Sequence, residues 1–514
     1  MKRTLLISGI LTAVAGALIL RLPLLSLRPM HTDEAVHAIK FGKLLEKDYY
    51  VYNPVEYHGP TLNYFTLIPA YFAGDKSLAQ TNEFTLRIVP VVFGIGVVLL
   101  IFLLHDGLGL AAVITAAFLA AISPAMVFYS RYYIQEMLLV FYTLAVIVFG
   151  WRYSRSSRLI WIILLGLALG LMHATKETCI IAFGCMLLAV LVTRLFTTGD
   201  SANSRLRAMI KLWHLPVALL AAAAISVVFY SSFFSNPHGP WDSIAAYSNY
   251  FERANAHARH HHPWYYYLRM LLLFHDSPGP WWSEALIVVL AVAGFLATVC
   301  RKGLAGIDIK LARFLAFYTL FMTLIYSIIP YKTPWSMLSF LLGMIILAGI
   351  GLVAMFRWLR FTALRVLLMV LVIAAGVNLL QQSYRANYKF YTDQRNPYVY
   401  AHSTTDVLRL AGRIDDISPL SPAGHSIRID IISSSEDYWP LPWYLRAYSQ
   451  VGYWTEMPPT LDAPIIVASQ AFQAPLEKLL NNDYHNEYYG LRPAIILNAY
   501  IKNDLWKAFI DRQK

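Results

Sequence analysis

Between Thr4 and Leu380, apolar stretches long enough to enter a bilayer recur about eleven times, separated by short polar turns. In hydrocarbon every backbone N–H and C=O must be satisfied within the chain. Such a sequence is therefore expected to fold as a bundle of membrane-crossing helices. The composition agrees: 14% of the 514 residues are charged and the mean hydropathy is +0.50, against about 25% charged in a soluble domain. The net charge of +12 does not point to nucleic acid. Its basic residues gather in alternate short loops, at Arg152, Arg155 and Arg158, at Arg194, Arg205, Arg207 and Lys211, at Arg301, Lys302, Lys310 and Arg313, and at Arg357, Arg360 and Arg365. That is the positive-inside bias of a multi-pass membrane protein.

The first apolar stretch, 4–27, follows Met1-Lys2-Arg3 and runs on without a clear cleavage site. It reads as an uncleaved span with a cytoplasmic N-terminus. The polar loops 27–64 and 231–282 then fall outside the plasma membrane. From Gln381 onward no run is long enough to cross. Short stretches that read as strands at 426–433, 463–469 and 486–490, with a helix over 474–480, predict a small α/β domain. The expected organisation is mainly α: a polytopic domain of about eleven transmembrane helices over 1–382, then an extracytoplasmic α/β domain over 383–514. Cys179, Cys185 and Cys300 lie in or beside apolar runs and read as small apolar fillers.

The loop 31–64 concentrates the chemistry. Thr32 is placed to cap a helix whose first turn holds Asp33 and Glu34, with His37 one turn on and a stripe of Lys40, Lys43 and Lys47 facing headgroups. The loop closes on His58-Gly59-Pro60. The third span, 108–128, is expected to emerge at a Tyr-rich turn. There Tyr129, Tyr133 and Glu136 are expected to fall on one helical face. An ionisable group such as Glu136 at a span end is a functional candidate. Arg131, Lys176 and Lys332 are cations on the same expected side, suited to a phosphate. Lys176 has Glu136 or Glu177 as alternative partners. Pro330 and Pro334 stiffen the turn holding Tyr331 and Lys332. His257, His260, His261 and His262 lack clean metal-ligand spacing and read as interfacial side chains. The aromatic, proline-stiffened stretch 438–444 is expected to dock an acceptor or lean on the membrane loops, or else to pack locally within its own small domain.

Asp33-Glu34 followed by His58-Gly59-Pro60 resembles the protein O-mannosyltransferases and the lipid A aminoarabinose transferases. Both are GT-C glycosyltransferases. Gly59 departs from their His-Pro-Pro pattern, and the aminoarabinose enzymes carry Lys where His58 stands. Across the whole chain HTDEA, YHGPTL, PYKTPW and DYWPLPWYL resemble the bacterial and archaeal "flippase activity-associated" proteins. The resemblance implies a GT-C-like, mannosyltransferase-like inverting enzyme using a polyprenyl-phosphate sugar donor at the outer membrane face. On that reading Asp33 is the base, while Glu34 and Glu136 orient it or the acceptor. His58, Arg131, Lys176, Tyr331 and Lys332 bind substrate. No resident metal is assigned, although two carboxylates such as Asp33 and Glu136 suit a divalent cation. The acceptor is a protein, lipid or glycan. The competing reading is a non-catalytic flippase or accessory protein that binds polyprenyl-phosphate sugars. It would call for polar or broken helices at mid-membrane.

Overall fold

A computed structural model describes residues 2–47, 49–55, 58–196, 213–256, 260–435, 437–480 and 482–514. Arg205, Arg207, Lys211 and His257 lie outside the described residues. The first half is helical: α1 (Lys2–Arg21), α2 (Thr32–Lys47), α3 (Thr61–Ala73), α4 (Glu83–Phe102), α5 (Leu110–Ile122), α6 (Pro124–Ser130), α7 (Glu136–Ser156), α8 (Leu159–His173), α9 (Cys179–Leu195) and α10 (His214–Tyr230). Then follow α11 (Gly239–Ala256), α12 (Tyr266–Leu272), α13 (Ala285–Cys300), α14 (Ile309–Ile328), α15 (Leu338–Trp358) and α16 (Thr362–Tyr388). Each expected span falls on a helix. Six of the described helices are long and apolar enough to cross a bilayer, and α5 with α6 form a bent pair. The helices α8, α9, α10 and α13 are apolar but shorter.

Helix α15 lies at the centre, buried along almost its whole length, whereas α16 is nearly all exposed and faces outward. The pairing of α13 with α15 depends on small residues. A Cβ on Gly294 would lie 2.1 Å from the Leu347 carbonyl oxygen, and one on Gly351 would lie 1.9 Å from that of Leu290. Backbones this close are how helices gain packing energy where lipid offers no hydrophobic contrast.

The third expected span is not continuous. It bends by 59° between α5 and α6. Pro124 has no N–H to extend the ladder, and Ser123 accepts from the Met126 N–H at 3.4 Å. The buried Glu284 stabilises the break by accepting from Ser123 Oγ at 2.5 Å and the Ala125 N–H at 3.0 Å. Carbonyls freed at the end of α5 are taken by Arg21, which donates to Ala120 and Ala121 at 2.8 and 2.7 Å. Because helix stops at Ser130 and resumes at Glu136, Tyr129, Tyr133 and Glu136 do not share one helical face. They reach Tyr398, Thr66 and Lys176 respectively.

After α16 the chain builds a five-stranded sheet in the order β2-β1-β3-β5-β4. The strands are β1 (Ile429–Ile432), β2 (Val451–Trp454), β3 (Ile465–Ser469), β4 (Tyr484–Arg492) and β5 (Ile495–Lys502). β1 runs parallel to β2 and β3, while β5 is antiparallel to β3 and β4. Ile429, Ile431, Ile465 and Val467 enter one apolar cluster and Ile432, Ile466 and Ala468 another. This is the two-residue alternation of strands covered on both faces. The helices α17 (Asp406–Ile417), α18 (Gln473–Leu479) and α19 (Asn503–Arg512) complete the unit. The runs at 426–433, 463–469 and 486–490 mark β1, β3 and β4. β2 and β5 were not legible in the sequence.

Candidate active site

Helix α2 begins at Thr32, with Asp33 and Glu34 in its first turn. Its start is capped by His31 and not by Thr32: the His31 carbonyl accepts from the Ala35 N–H and its Nδ1 from the Asp33 N–H, each at 3.0 Å. The two acids sit in opposite environments. The Asp33 side chain is 44% exposed, and its carboxylate lies 3.9 Å from His31 Nδ1. Glu34 is fully buried. Arg87 in α4 donates to both of its oxygens, Nε to Oε1 and Nη2 to Oε2, each at 2.7 Å. The backbone N–H groups of Tyr133 and His31 donate at 2.9 and 3.1 Å. Arg28 stands 3.7 Å away. Burial pushes the Glu34 carboxyl up, but Arg87 and Arg28 pull it further down, and it rests below the ordinary range.

The lysine stripe is split: Lys43 and Lys47 are exposed, whereas Lys40 is not. Lys40 is buried, with Nζ donating to Tyr50 Oη at 3.4 Å. Helix α2 is seated against α3 and the loops, so Lys40 packs inward while Lys43 stays exposed.

The His58-Gly59-Pro60 corner is fastened to the turn between α8 and α9. A Cβ on Gly59 would lie 2.2 Å from the Ala174 carbonyl oxygen, so this close approach requires glycine where the resemblance has proline. The Thr61 N–H donates to that same oxygen at 3.2 Å, and Thr61 and Thr175 share a hydroxyl contact at 2.8 Å. The corner delivers His58 Nδ1 to within 2.7 Å of Glu177 Oε2, while Tyr52 donates to Oε1 at 2.9 Å. The preceding residue, Lys176, forms an ion pair with Glu136 at the head of α7. His37, one turn along α2 from Asp33, accepts from Gln135 Nε2 at 3.3 Å and lies 6.4 Å from the His58 ring. Burial, then the neighbouring His58, Lys40 and Lys176, hold His37 well below its ordinary value, so it is neutral.

Trp335 joins this group to the other loop. It lines a small cavity with Glu136, Lys176, Thr178 and Tyr326. Its ring lies 6.0 Å from His31, 5.8 Å from Tyr132 and 5.9 Å from Tyr400. Nearby, Tyr331 pairs with His261 in an isolated bridge. The Lys332 ammonium is buried and donates to the carbonyls of His262, at 3.2 Å, and Ile329. His260 Nδ1 lies 2.6 Å from Tyr400 Oη.

Arg131 is placed differently. Its guanidinium donates to the carbonyls of Arg21, Pro23 and Leu24 at 2.7–3.0 Å and to Tyr388 Oη at 2.9 Å. It closes the C-terminal end of α1, as Arg21 closes α5. Among the described residues no three His, Cys, Asp or Glu side chains form a metal-binding group.

Residues 64–238 match the family of dolichyl-phosphate-mannose-protein mannosyltransferases. That segment takes in Arg87, Glu136, Lys176 and Glu177 and begins past Asp33 and His58. No curated protein matches the chain in sequence. ArnT from Cupriavidus metallidurans bound to undecaprenyl phosphate matches with a TM-score of 0.61 at 15% identity, covering 95% of this chain and 97% of that one. The Archaeoglobus fulgidus oligosaccharyltransferase in its apo form matches with a TM-score of 0.58 at 12% identity, covering 95% and 74%. The archaeal AglB in complex with an inhibitory peptide and a dolichol-phosphate gives 0.56 at 12%, again over 95% and 74%. The protein has a GT-C fold.

Within this GT-C fold, four residues around the loops were not singled out from sequence for the roles they fill. Arg87 had a signal: a lone arginine inside an otherwise apolar span is costly unless paired. Glu284 had the same signal at the start of α13. His37, one turn on from Asp33, and Trp335, in PYKTPW, had a signal of place only: aromatic rings at a membrane interface are common and give no role by themselves.

Proposed function

We propose that the protein transfers a sugar from a polyprenyl-phosphate-linked donor to an acceptor at the outer face of the plasma membrane. The observation that carries this reading is the division between the acids. Glu34 and Glu136 are each tied to a cation in the interior, whereas Asp33, at the head of the same helix that bears His37, keeps a carboxylate open to solvent. Support comes from the undecaprenyl phosphate held by ArnT and the dolichol-phosphate and peptide held by AglB, both of the same fold.

In the reaction an acceptor hydroxyl or amine attacks the anomeric carbon. The bond from that carbon to the phosphate oxygen breaks, and the polyprenyl phosphate leaves with the electron pair. Asp33 takes the acceptor's proton, and a single displacement inverts the anomeric configuration. A positioned base typically contributes about 10²–10⁴-fold. Lys176, Lys332, His58 and Tyr331 are assigned to the phosphate and sugar, where preorganised donors stabilise the charge on the leaving oxygen. Glu136 holds Lys176 in place. Glu34, saturated by Arg87, anchors α2, and Arg131 is assigned to the end of α1 rather than to substrate.

The test is to incubate the purified protein with a panel of polyprenyl-phosphate sugars and a membrane extract. An acceptor heavier by one glycosyl residue is expected, together with released polyprenyl phosphate. If every donor is bound or moved across vesicles but none is consumed, the reading fails.

A further inference from the structure

Three consecutive residues lead into Asp33, and each is held by the chain beyond α16. The Met30 N–H donates to Tyr444 Oη at 2.8 Å, and the Met30 carbonyl accepts from Ser403 Oγ at 2.9 Å. His31 Nε2 lies 3.0 Å from the Tyr400 carbonyl. A carbonyl only accepts, so Nε2 carries the proton. That leaves Nδ1 bare to accept the Asp33 N–H at 3.0 Å. Thr32 Oγ1 accepts from Arg492 Nη1 at 3.2 Å. Met30 and His31 are themselves buried.

Arg492 is the distant member of this set, 460 residues along the chain from Thr32. It ends β4, where the register against β5 slips between Gly490 and Arg492. Bulges of this kind re-aim a side chain. The strand end is fixed in turn, since Thr404 donates through its N–H to the Leu491 carbonyl at 3.0 Å and through its hydroxyl to that of Gly490. The other nitrogen, Nη2, pairs with Asp437 at 2.7 Å. Asp437 opens the DYWPLPWYL stretch, which also supplies Tyr444. The two sequence motifs that flank the chain's outer loops, HTDEA and DYWPLPWYL, therefore meet at the residues before Asp33.

We infer that the C-terminal unit is a positioning element of the transfer site, and that Arg492 is the positioning residue that fixes Thr32 and, through it, Asp33. The inference rests on the reading of Asp33 as the base. A misplacement of about an ångström at a catalytic group costs on the order of 10²-fold, so a helix start bracketed by hydrogen bonds from a second folded unit has a direct consequence for rate.

The full-length protein tests this with Arg492→Met, Thr32→Val, the two combined, and Thr32→Ser, which keeps the hydroxyl. Turnover is expected to fall about 10–100-fold in each of the first two, with the donor KM within about twofold. The double variant should be no worse than the poorer single one, because both remove one contact. Thr32→Ser should retain turnover. Hydrogen exchange at the Asp33 and Met30 amides should quicken in Arg492→Met and not in Thr32→Ser. Additive losses, or a Thr32→Val enzyme as fast as wild type, overturn the inference. Unchanged exchange in Arg492→Met overturns it as well, whether or not sugar transfer is detected. Wild type that transfers no sugar while its variants exchange faster defeats instead the reading of Asp33 as base.

Discussion

Glu34 and Arg87, separated by 53 residues in the chain, meet through two parallel hydrogen bonds of 2.7 Å, and solvent reaches neither side chain. The same arginine also donates to the Leu25 and Arg28 carbonyls at 2.6 and 2.8 Å. The pair thus fastens helix α2 and the turn after α1 to α4. Removing one partner strands a buried charge, which typically costs about 3–5 kcal/mol. Arg87→Met is therefore expected to lower the unfolding midpoint in detergent sharply. An Arg87→Met protein as stable as wild type would show that the pair holds nothing together.

Acid should act through the same pair. The folded Glu34 carboxyl sits below its ordinary range, because the pull of Arg87 and Arg28 outweighs the upward push of burial. A group depressed on folding contributes stability that is full above its unfolded value and lost as pH falls through the folded one. Thermal unfolding followed from about pH 5 down to about pH 3 should show a steeper loss in wild type than in Glu34→Gln, which has no proton to take up. Parallel curves would remove Glu34 from the acid response.

Asp33→Asn keeps shape and hydrogen bonding but cannot accept a proton at neutral pH. Turnover is expected to fall about 10²–10⁴-fold, with polyprenyl phosphate binding intact. Asp33→Glu should recover little, since its carboxylate moves by about an ångström. Complementation of a deletion strain by Asp33→Asn at the wild-type rate would count against Asp33 as base.

Lys332 and Lys43 give a matched comparison. Lys332 is buried among carbonyls, while Lys43 is exposed on α2. Loss of a charge-assisted contact to phosphate costs roughly 1.5–3 kcal/mol, so Lys332→Ala should weaken donor use far more than Lys43→Ala. Equal donor dependence in the two would take Lys332 out of the site.

Orientation is open to labelling. A cysteine in place of the exposed Ser434, in a chain whose exposed Cys300 is first made serine, should react with an impermeant reagent on intact cells. Protection there would place the sheet unit on the cytoplasmic side and overturn the assignment of the reaction to the outer face.

Hydropathy alone placed the apolar helices, because in a bilayer the backbone has few ways to satisfy itself and a long apolar run admits little else but helix. The acids in the first turn of α2 followed from their fit to the helix dipole, but the cap is His31, not Thr32, whose hydroxyl goes to Arg492. β1 and β3 were legible as short segments dense in Ile and Val, although β1 carries the buried Asp430, and β4 was marked in part by 486–490. What the chain order concealed was decided by partners far apart in sequence. Asp33 and Glu34 are adjacent, yet one is open and the other sealed, because Arg87 arrives from α4 to meet only the second. Lys176 has Glu177 as its neighbour in sequence but pairs with Glu136, and Glu177 turns to His58. Arg131 looked like a phosphate ligand until the break at Ser123 set it over the open end of α1. Local composition marks the apolar helices and some of the strands, though neither the break at Ser123 nor β2 and β5. In this bundle, which charge is neutralised and which is left open to solvent depends on which side chains tertiary packing brings within hydrogen-bonding distance.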